Sequence, residues 1–187
     1  MLFRSSRINQ SLHFISALSF LAAYALIFTN PVAAALIGWL AAMVSRQIGH
    51  FFFEPKGYDE VNQASHEYKE SIKVGYNLQR KVVLMTVWAL APVALYFDPA
   101  LFGVFQADDG MTFVQKTGAV WLAIGIGGLL FRTVHLFYLK DVQTGLVWLA
   151  KSVADPVHDL LLYHKAPLAL LRGALIDRKS TRLNASQ

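Results

Sequence analysis

The chain has 187 residues, of which 55% are hydrophobic and 16% are charged, and its mean hydropathy is +0.41. A soluble domain carries about 25% charged residues, so this composition excludes an ordinary water-soluble domain and indicates an integral membrane protein. The sequence contains no cysteine, which excludes disulfides, thiolate metal ligands and a cysteine nucleophile. Any bound metal is therefore expected on His, Asp, Glu and water, donors that suit iron, zinc or manganese.

The basic net charge does not indicate nucleic-acid binding. The formal net charge is +5, but residues 177–187, DRKSTRLNASQ, are polar, aperiodic and unlike the preceding chain. We predict that this tail is foreign to the native protein. Without its three basic residues and one acidic residue, the net charge falls by two, to +3. No nucleic-acid partner is therefore expected, and the remaining basic residues are explained by membrane topology.

Apolar runs predict four transmembrane helices, at about residues 12–28, 32–53, 82–97 and 117–139. A cleaved signal peptide is the alternative for the first run. Asn30-Pro31 predicts a turn with a helix start, so the first two spans form one antiparallel hairpin and the last two form another. The fourth run contains Gly125, Gly127 and Gly128, where small residues permit close helix contact.

Amphipathic segments surround these runs. Residues 58–81 and the segment that follows Asp141 predict helices on the cytoplasmic surface. Asp155-Pro156 predicts the start of a further short helix, with Asp155 as its N-cap. The predicted fold class is therefore all-α, a single membrane domain over residues 1–176 with four spans in two hairpins.

The placement of Lys and Arg predicts the orientation in the membrane. Basic residues occur before the first run, after the second and after the fourth, whereas the opposite side has only Lys116, in the second loop. The positive-inside rule then places both termini in the cytoplasm, and we expect the protein in a bacterial inner membrane. In this topology all six histidines fall on the cytoplasmic side: His13, His50, His66, His135, His158 and His164.

The end of the second run has an unusual polar stripe. Arg46, His50 and Glu54 follow one another at i,i+4 spacing and therefore share one helix face. Ionisable residues at the edge of an apolar span usually face a protein interior or a cavity. A metal or catalytic site at the membrane surface is one interpretation. The alternative is an interfacial or hydrogen-bonded histidine beside an arginine that reaches the headgroups.

Two motifs in the first hairpin resemble a known family. The segments Asn9-Gln-Ser-Leu-His13 and Gly49-His-Phe-Phe-Phe-Glu54, with Gly38-Trp39 between them, resemble the membrane-embedded 2-hydroxy fatty acid dioxygenase family of fatty acid α-oxidation. The hairpin of that family carries Asn-x-x-x-His and Gly-His-x-x-x-Glu motifs. The resemblance covers roughly the first third of the chain. This sequence differs in having no histidine before His13 and Pro55-Lys56-Gly57 where an Arg-Pro-Ala often follows the glutamate.

The resemblance implies a non-haem iron(II) centre at the membrane surface. Its reaction uses O₂ to cleave the C1–C2 bond of a 2-hydroxy fatty acid, which leaves an acid one carbon shorter. Such a substrate chelates iron through its carboxylate and hydroxyl. On this basis the first-choice metal ligands are His13, His50 and His135, followed by His158. Arg46 or Arg132 would pair with the substrate carboxylate, and Glu54 and Asn9 would lie at or beside the metal.

Two other classes remain open. One is a different histidine-rich membrane enzyme, such as a lipid hydroxylase or desaturase, although the sequence lacks adjacent His-x-x-His-His boxes. The other is a non-catalytic membrane protein, such as a scaffold, an assembly factor or a small transporter. Transport is disfavoured because no ionisable residue lies near the middle of a span.

Overall fold

The computed structural model describes residues 6–53, 65, 67–68, 74, 78–106 and 109–175. These residues are mainly helical and form no β-strand, which confirms the all-α prediction for the described part of the chain. The helices are α1 (Arg7–Leu26), α2 (Pro31–Phe52), α3 (Leu78–Phe97), α4 (Phe113–Leu139), α5 (Val142–Tyr163) and α6 (Ala166–Leu171). Within α2, the segment Ile37–Met43 is π-helical.

Within the described residues, three helices are long and apolar enough to cross a membrane: α2, residues Gln79–Phe97 of α3, and α4. They correspond to the second, third and fourth predicted spans. The first predicted span falls in α1, which is not among these helices because polar residues such as Asn9 and Gln10 occupy its first turns. A membrane protein is therefore indicated, whereas the four-span arrangement in two hairpins stays a prediction.

The outer surfaces of these helices are apolar. Large hydrophobic side chains on α3 and α4 are exposed, among them Val83, Leu90, Leu130 and Phe131. Contiguous apolar surface of this kind is unfavourable in water and is expected where lipid surrounds the helix.

The chain divides into two compact units. The first unit comprises Met1–Leu21, Leu40–Lys73 and Val153–Gln187, and the second comprises Ala22–Trp39 and Val74–Ser152. The first unit contains His13, His50 and His158. The second contains His135 and most of the three candidate spans.

Three tryptophans connect the helices of the second unit. The indole Nε1 of Trp39 donates to the carbonyl of Trp121 at 2.8 Å, and Nε1 of Trp121 donates to the carbonyl of Trp88 at 3.0 Å. The Trp88 ring centre lies 5.2 Å from that of Trp39 and 5.1 Å from that of Trp121. Because lipid offers no hydrogen-bond partners, these bonds satisfy two indole N–H groups within the protein. One residue from each of α2, α3 and α4 thus forms the centre of this unit.

Helices α2 and α4 approach each other closely at Gly118. A Cβ atom added there would lie 2.8 Å from Val32 Cγ1 and 3.1 Å from Val32 Cα. A Cβ at Gly127 would meet nothing within 4 Å. Close contact therefore occurs at Gly118, one turn inside the start of α4, and Gly127 has no neighbour that requires a small residue.

These two glycines provide a matched test of the α2–α4 contact. We expect Gly118→Ala to lower the free energy of unfolding by about 2 kcal/mol, because the new methyl group overlaps the Val32 backbone. Gly127→Ala should be neutral or stabilising by up to about 1 kcal/mol, since alanine favours a helix. Thermal unfolding of both variants in detergent measures the difference. Equal stability of the two variants would contradict the contact.

Candidate functional site

In the first unit, α1 and α2 meet at Asn9 and Gly49. A Cβ atom at Gly49 would lie 2.5 Å from Asn9 Oδ1 and 3.7 Å from His13 Cδ2. Glycine at this position leaves room for the Asn9 amide to lie against α2, and a larger residue would require the Asn9 side chain to move. Asn9 and His13 share one face of α1 at i,i+4 spacing, and His50 directly follows Gly49. The two halves of the sequence motif are therefore neighbours in space.

The His13 and His50 rings form the centre of the candidate site. Their centres are 5.2 Å apart and their planes are nearly perpendicular, at 89°. The His13 ring also lies 5.9 Å from the ring of Tyr163 on α5. His13 Nδ1 lies 3.4 Å from Asp159 Oδ2. The His13 side chain thus contacts an imidazole of α2 and a phenol and a carboxylate of α5.

Asp159 also binds Arg46. Arg46 Nη1 donates to Asp159 Oδ2 at 3.1 Å, and Nη2 donates to Asp155 Oδ2 at 3.5 Å. Asp155 and Asp159 are four residues apart on α5 and therefore lie on the same helix face. One largely buried oxygen of Asp159 accepts from α1 and from α2, so this carboxylate connects all three helices.

The surroundings of Asp159 keep it ionised. Burial acts to raise the pKa of its carboxyl group, but the hydrogen bond from His13 and the positive charges of Arg46, His13 and His158 outweigh burial and lower the pKa below its ordinary value. An ionised carboxylate can accept hydrogen bonds but cannot donate them. The proton of a neutral His13 therefore lies on Nδ1, and its Nε2 carries a free lone pair. A carboxylate behind a histidine in this way is the usual arrangement around metal-binding histidines.

Some buried polar atoms in this unit have no partner. Among the described residues, Asn9 Oδ1, Ser16 Oγ and Gln47 Oε1 are buried and have no hydrogen-bond partner. Leaving such an atom unsatisfied costs about 1–3 kcal/mol. Asn9 Oδ1 lies beside the His13–His50 pair, so an additional donor or cation at this position would satisfy it.

The distance between the His13 and His50 ring centres is compatible with two imidazole ligands of one metal ion. A metal about 2.1 Å from a ring nitrogen lies about 3.3 Å from the ring centre, so ring centres 5.2 Å apart correspond to an angle of about 100° at the metal. No group of three or more His, Cys, Asp or Glu side chains that could hold a metal occurs within the described residues. If a metal binds here, the described residues would supply His13 and His50 as two ligands, with Asp159 behind His13. Glu54 and His66 lie outside the described residues.

His135 and Arg132 belong to the second unit. Arg132 Nη1 lies 3.1 Å from His135 Nδ1, and Arg132 Nε and Nη2 donate to the Val74 carbonyl at 3.1 Å and 2.5 Å. An arginine only donates, so His135 Nδ1 accepts and its Nε2 carries the proton. In this arrangement neither ring nitrogen offers a lone pair. A ligand role for His135 and substrate binding by Arg132 stay predictions that this geometry does not support.

The remaining histidines differ from the His13–His50 pair. His158 is exposed on α5 and affects the site through its charge next to Asp159. His164 is also exposed, and its Nδ1 lies 2.8 Å from the Leu161 carbonyl oxygen. His158 therefore stays a predicted ligand without a described contact to the pair.

Sequence reasoning missed Asp159 and Tyr163, and its interpretation of Asp155 was wrong. Asp155 does not start a helix, because α5 is continuous from Val142 to Tyr163 with Pro156 inside it. The Asp155 carboxylate binds Arg46 and does not cap a helix terminus. The signal that could have revealed the site is the spacing of Asp155, Asp159 and Tyr163 at i, i+4 and i+8, which places three polar groups on one helix face.

Comparisons of the chain with protein-family models, curated proteins and solved structures found no match. The resemblance to the dioxygenase family therefore rests on the Asn9 to His13 and Gly49 to Glu54 motifs alone. The described halves of these motifs meet in the structure, and this contact is independent of the resemblance.

The ionised Asp159 makes the stability of this unit depend on pH. A carboxyl group whose pKa is lowered by folding contributes stability above its ordinary pKa, and that contribution is lost as the pH falls through its folded-state pKa. We expect the unfolding temperature of the wild type to fall as the pH drops below about 4, the ordinary pKa of an aspartate. Asp159→Asn should lose about 2 kcal/mol at neutral pH and show a flatter pH profile.

Asp155→Asn is the matched control for this prediction. It lies one helical turn away, is more exposed than Asp159, and makes only the longer contact with Arg46. Its loss of stability should be smaller and its pH profile close to that of the wild type. An Asp159→Asn variant with the full pH dependence of the wild type would show that the Asp159 carboxylate is not the source of that pH dependence.

Proposed function

We propose that this chain is an iron-dependent membrane oxygenase that acts on 2-hydroxy fatty acids and removes one carbon. The observation that carries the proposal is the His13–His50 pair, with the Asp159 carboxylate at His13 Nδ1. The resemblance of the two hairpin motifs to the 2-hydroxy fatty acid dioxygenase family supplies the reaction and the substrate class.

His13 and His50 are the proposed ligands. Asp159 holds the proton of His13 on Nδ1 and so keeps Nε2 available as a lone-pair donor. Arg46 in turn holds Asp159 in position and keeps it ionised. Iron(II), when bound, supplies the chelation of the 2-hydroxy acid and the reaction with O₂.

Arg46 is the proposed partner of the substrate carboxylate. Its contact with Asp155 is longer than its contact with Asp159, at 3.5 Å against 3.1 Å, and Asp155 is the more exposed carboxylate. A substrate carboxylate can therefore replace Asp155 on Nη2 while Nη1 stays on Asp159. This exchange gives Arg46 a binding role without releasing the carboxylate that orients His13. The Tyr163 phenol lies beside His13 and borders the same space.

The membrane arrangement follows from the sequence. We propose that α1 pairs with α2 as a hairpin and that α1 to α4 form four spans, with both termini on the cytoplasmic side of a bacterial inner membrane. The fatty acyl chain then lies along apolar helix surface, and its polar head reaches Arg46 and His50 at the end of α2. A water-insoluble substrate thus stays in the membrane while its reacting end meets polar groups.

Substitution of single histidines tests this function. We expect wild-type protein to bind stoichiometric iron and to consume a long-chain 2-hydroxy fatty acid in the presence of O₂. His13→Ala and His50→Ala should each lower iron content at least about tenfold, because even residues that only orient a ligand typically contribute 10–100-fold. Iron is measured by mass spectrometry of the purified protein and substrate loss by chromatography.

His164→Ala is the matched control, because His164 is exposed and its Nδ1 interacts with the Leu161 carbonyl of the preceding helical turn. It should keep both iron and activity. Wild-type protein without stoichiometric iron, or full iron retention in His50→Ala, would contradict the proposal. Iron binding without consumption of 2-hydroxy acids would favour a different histidine-rich lipid hydroxylase.

A further inference from the structure

The polarity of the second half of α5 is inverted relative to that of a helix on a water-soluble protein. Val153, Val157 and Leu161 lie at i, i+4 and i+8 and share one face. All three are exposed, and Leu161 has 69% of its surface accessible. The apolar face of this helix segment therefore points outward.

The polar face of the same segment points inward. Asp155, Asp159 and Tyr163 are each two residues after a member of the apolar row, which corresponds to about 200° around the helix axis. Both carboxylates bind Arg46, Asp159 is additionally bonded to His13, and only 9% of Asp159 is exposed. Charged groups inside and aliphatic groups outside are the arrangement expected when the surroundings are less polar than the protein interior.

Helix α6 continues the apolar surface. Leu168 and Leu171 are exposed, with 85% of Leu171 accessible, whereas Ala166 is buried. We call the set Val153, Val157, Leu161, Leu168 and Leu171 the α5–α6 surface. Exposed aliphatic side chains grouped in this way mark a surface that contacts a partner or a membrane.

The charges around this surface have one sign. Between residues 153 and 175 the only acidic residues are Asp155 and Asp159, and Arg46 binds both. The exposed ionisable residues of this segment are Lys165 and Arg172, together with His158 and His164. The outward side is therefore aliphatic with a basic border, which complements acyl chains and the phosphates above them.

We propose that the α5–α6 surface lies in the lipid bilayer, at the boundary between the acyl chains and the phospholipid headgroups. Its aliphatic side chains contact acyl chains, and Lys165 and Arg172 extend to the phosphate groups. Helix α5 is not among the helices that could span a membrane, so this is an in-plane contact. The proposal rests on the fold alone and holds whether or not the histidine pair binds a metal.

The absence of cysteine from the sequence allows a direct test with single-cysteine variants of the full chain. Val153→Cys, Val157→Cys and Leu161→Cys are labelled with a nitroxide and reconstituted in vesicles of phosphatidylcholine and phosphatidylglycerol. Collision of the nitroxide with O₂, which concentrates in acyl chains, is compared with collision with a water-soluble nickel chelate. Gln106→Cys, on an exposed loop residue, is the aqueous control, and Ala166→Cys is the buried control.

We expect a ratio of O₂ to nickel collisions at all three positions that is several-fold higher than at Gln106. A high nickel collision rate at the three positions would show a water-exposed face and overturn the proposal. Low collision rates with both reagents, as at Ala166, would show that protein covers the surface, either a second copy or a partner, and would also overturn it.

Discussion

The first unit depends on one shared carboxylate. Asp159 Oδ2 accepts from His13 of α1 and from Arg46 of α2, and its own helix is α5. In an apolar protein such a group is stable only when its charge and its lone pairs are matched. The carboxylate therefore fixes which face of α5 turns inward, and that orientation determines which aliphatic residues turn outward.

The same carboxylate determines the chemistry that the site offers. Because Asp159 is ionised, a neutral His13 carries its proton on Nδ1 and its lone pair on Nε2. The close approach at Gly49 brings α1 and α2 near enough for the His13 and His50 rings to meet. His135 shows the opposite case, since the Arg132 guanidinium makes its Nδ1 an acceptor. His13 and His135 thus receive different protonation patterns from their hydrogen-bond partners. This difference is why we place the proposed iron site at the His13–His50 pair.

The sequence predicted those features that depend on local pattern. Helical structure and three apolar helices follow from composition and spacing, and the two motifs drew attention to His13 and His50, whose rings are neighbours in the structure. Asp159 could not be identified, because it is 146 residues from His13 and no local signal states which face of α5 meets α1. Asp155-Pro156 carries a strong helix-start signal, which the bond to Arg46 overrides. The role of Gly118 depends on the position of Val32 and likewise has no local signal.

X-ray absorption at the iron edge of the iron-loaded protein tests the central claim most directly. The account predicts imidazole scattering from two histidines in the wild type and from one in His13→Gln, which retains the size and polarity of the side chain. Iron bound without imidazole scattering, or an unchanged spectrum in His13→Gln, would show that the His13–His50 pair is not the metal site.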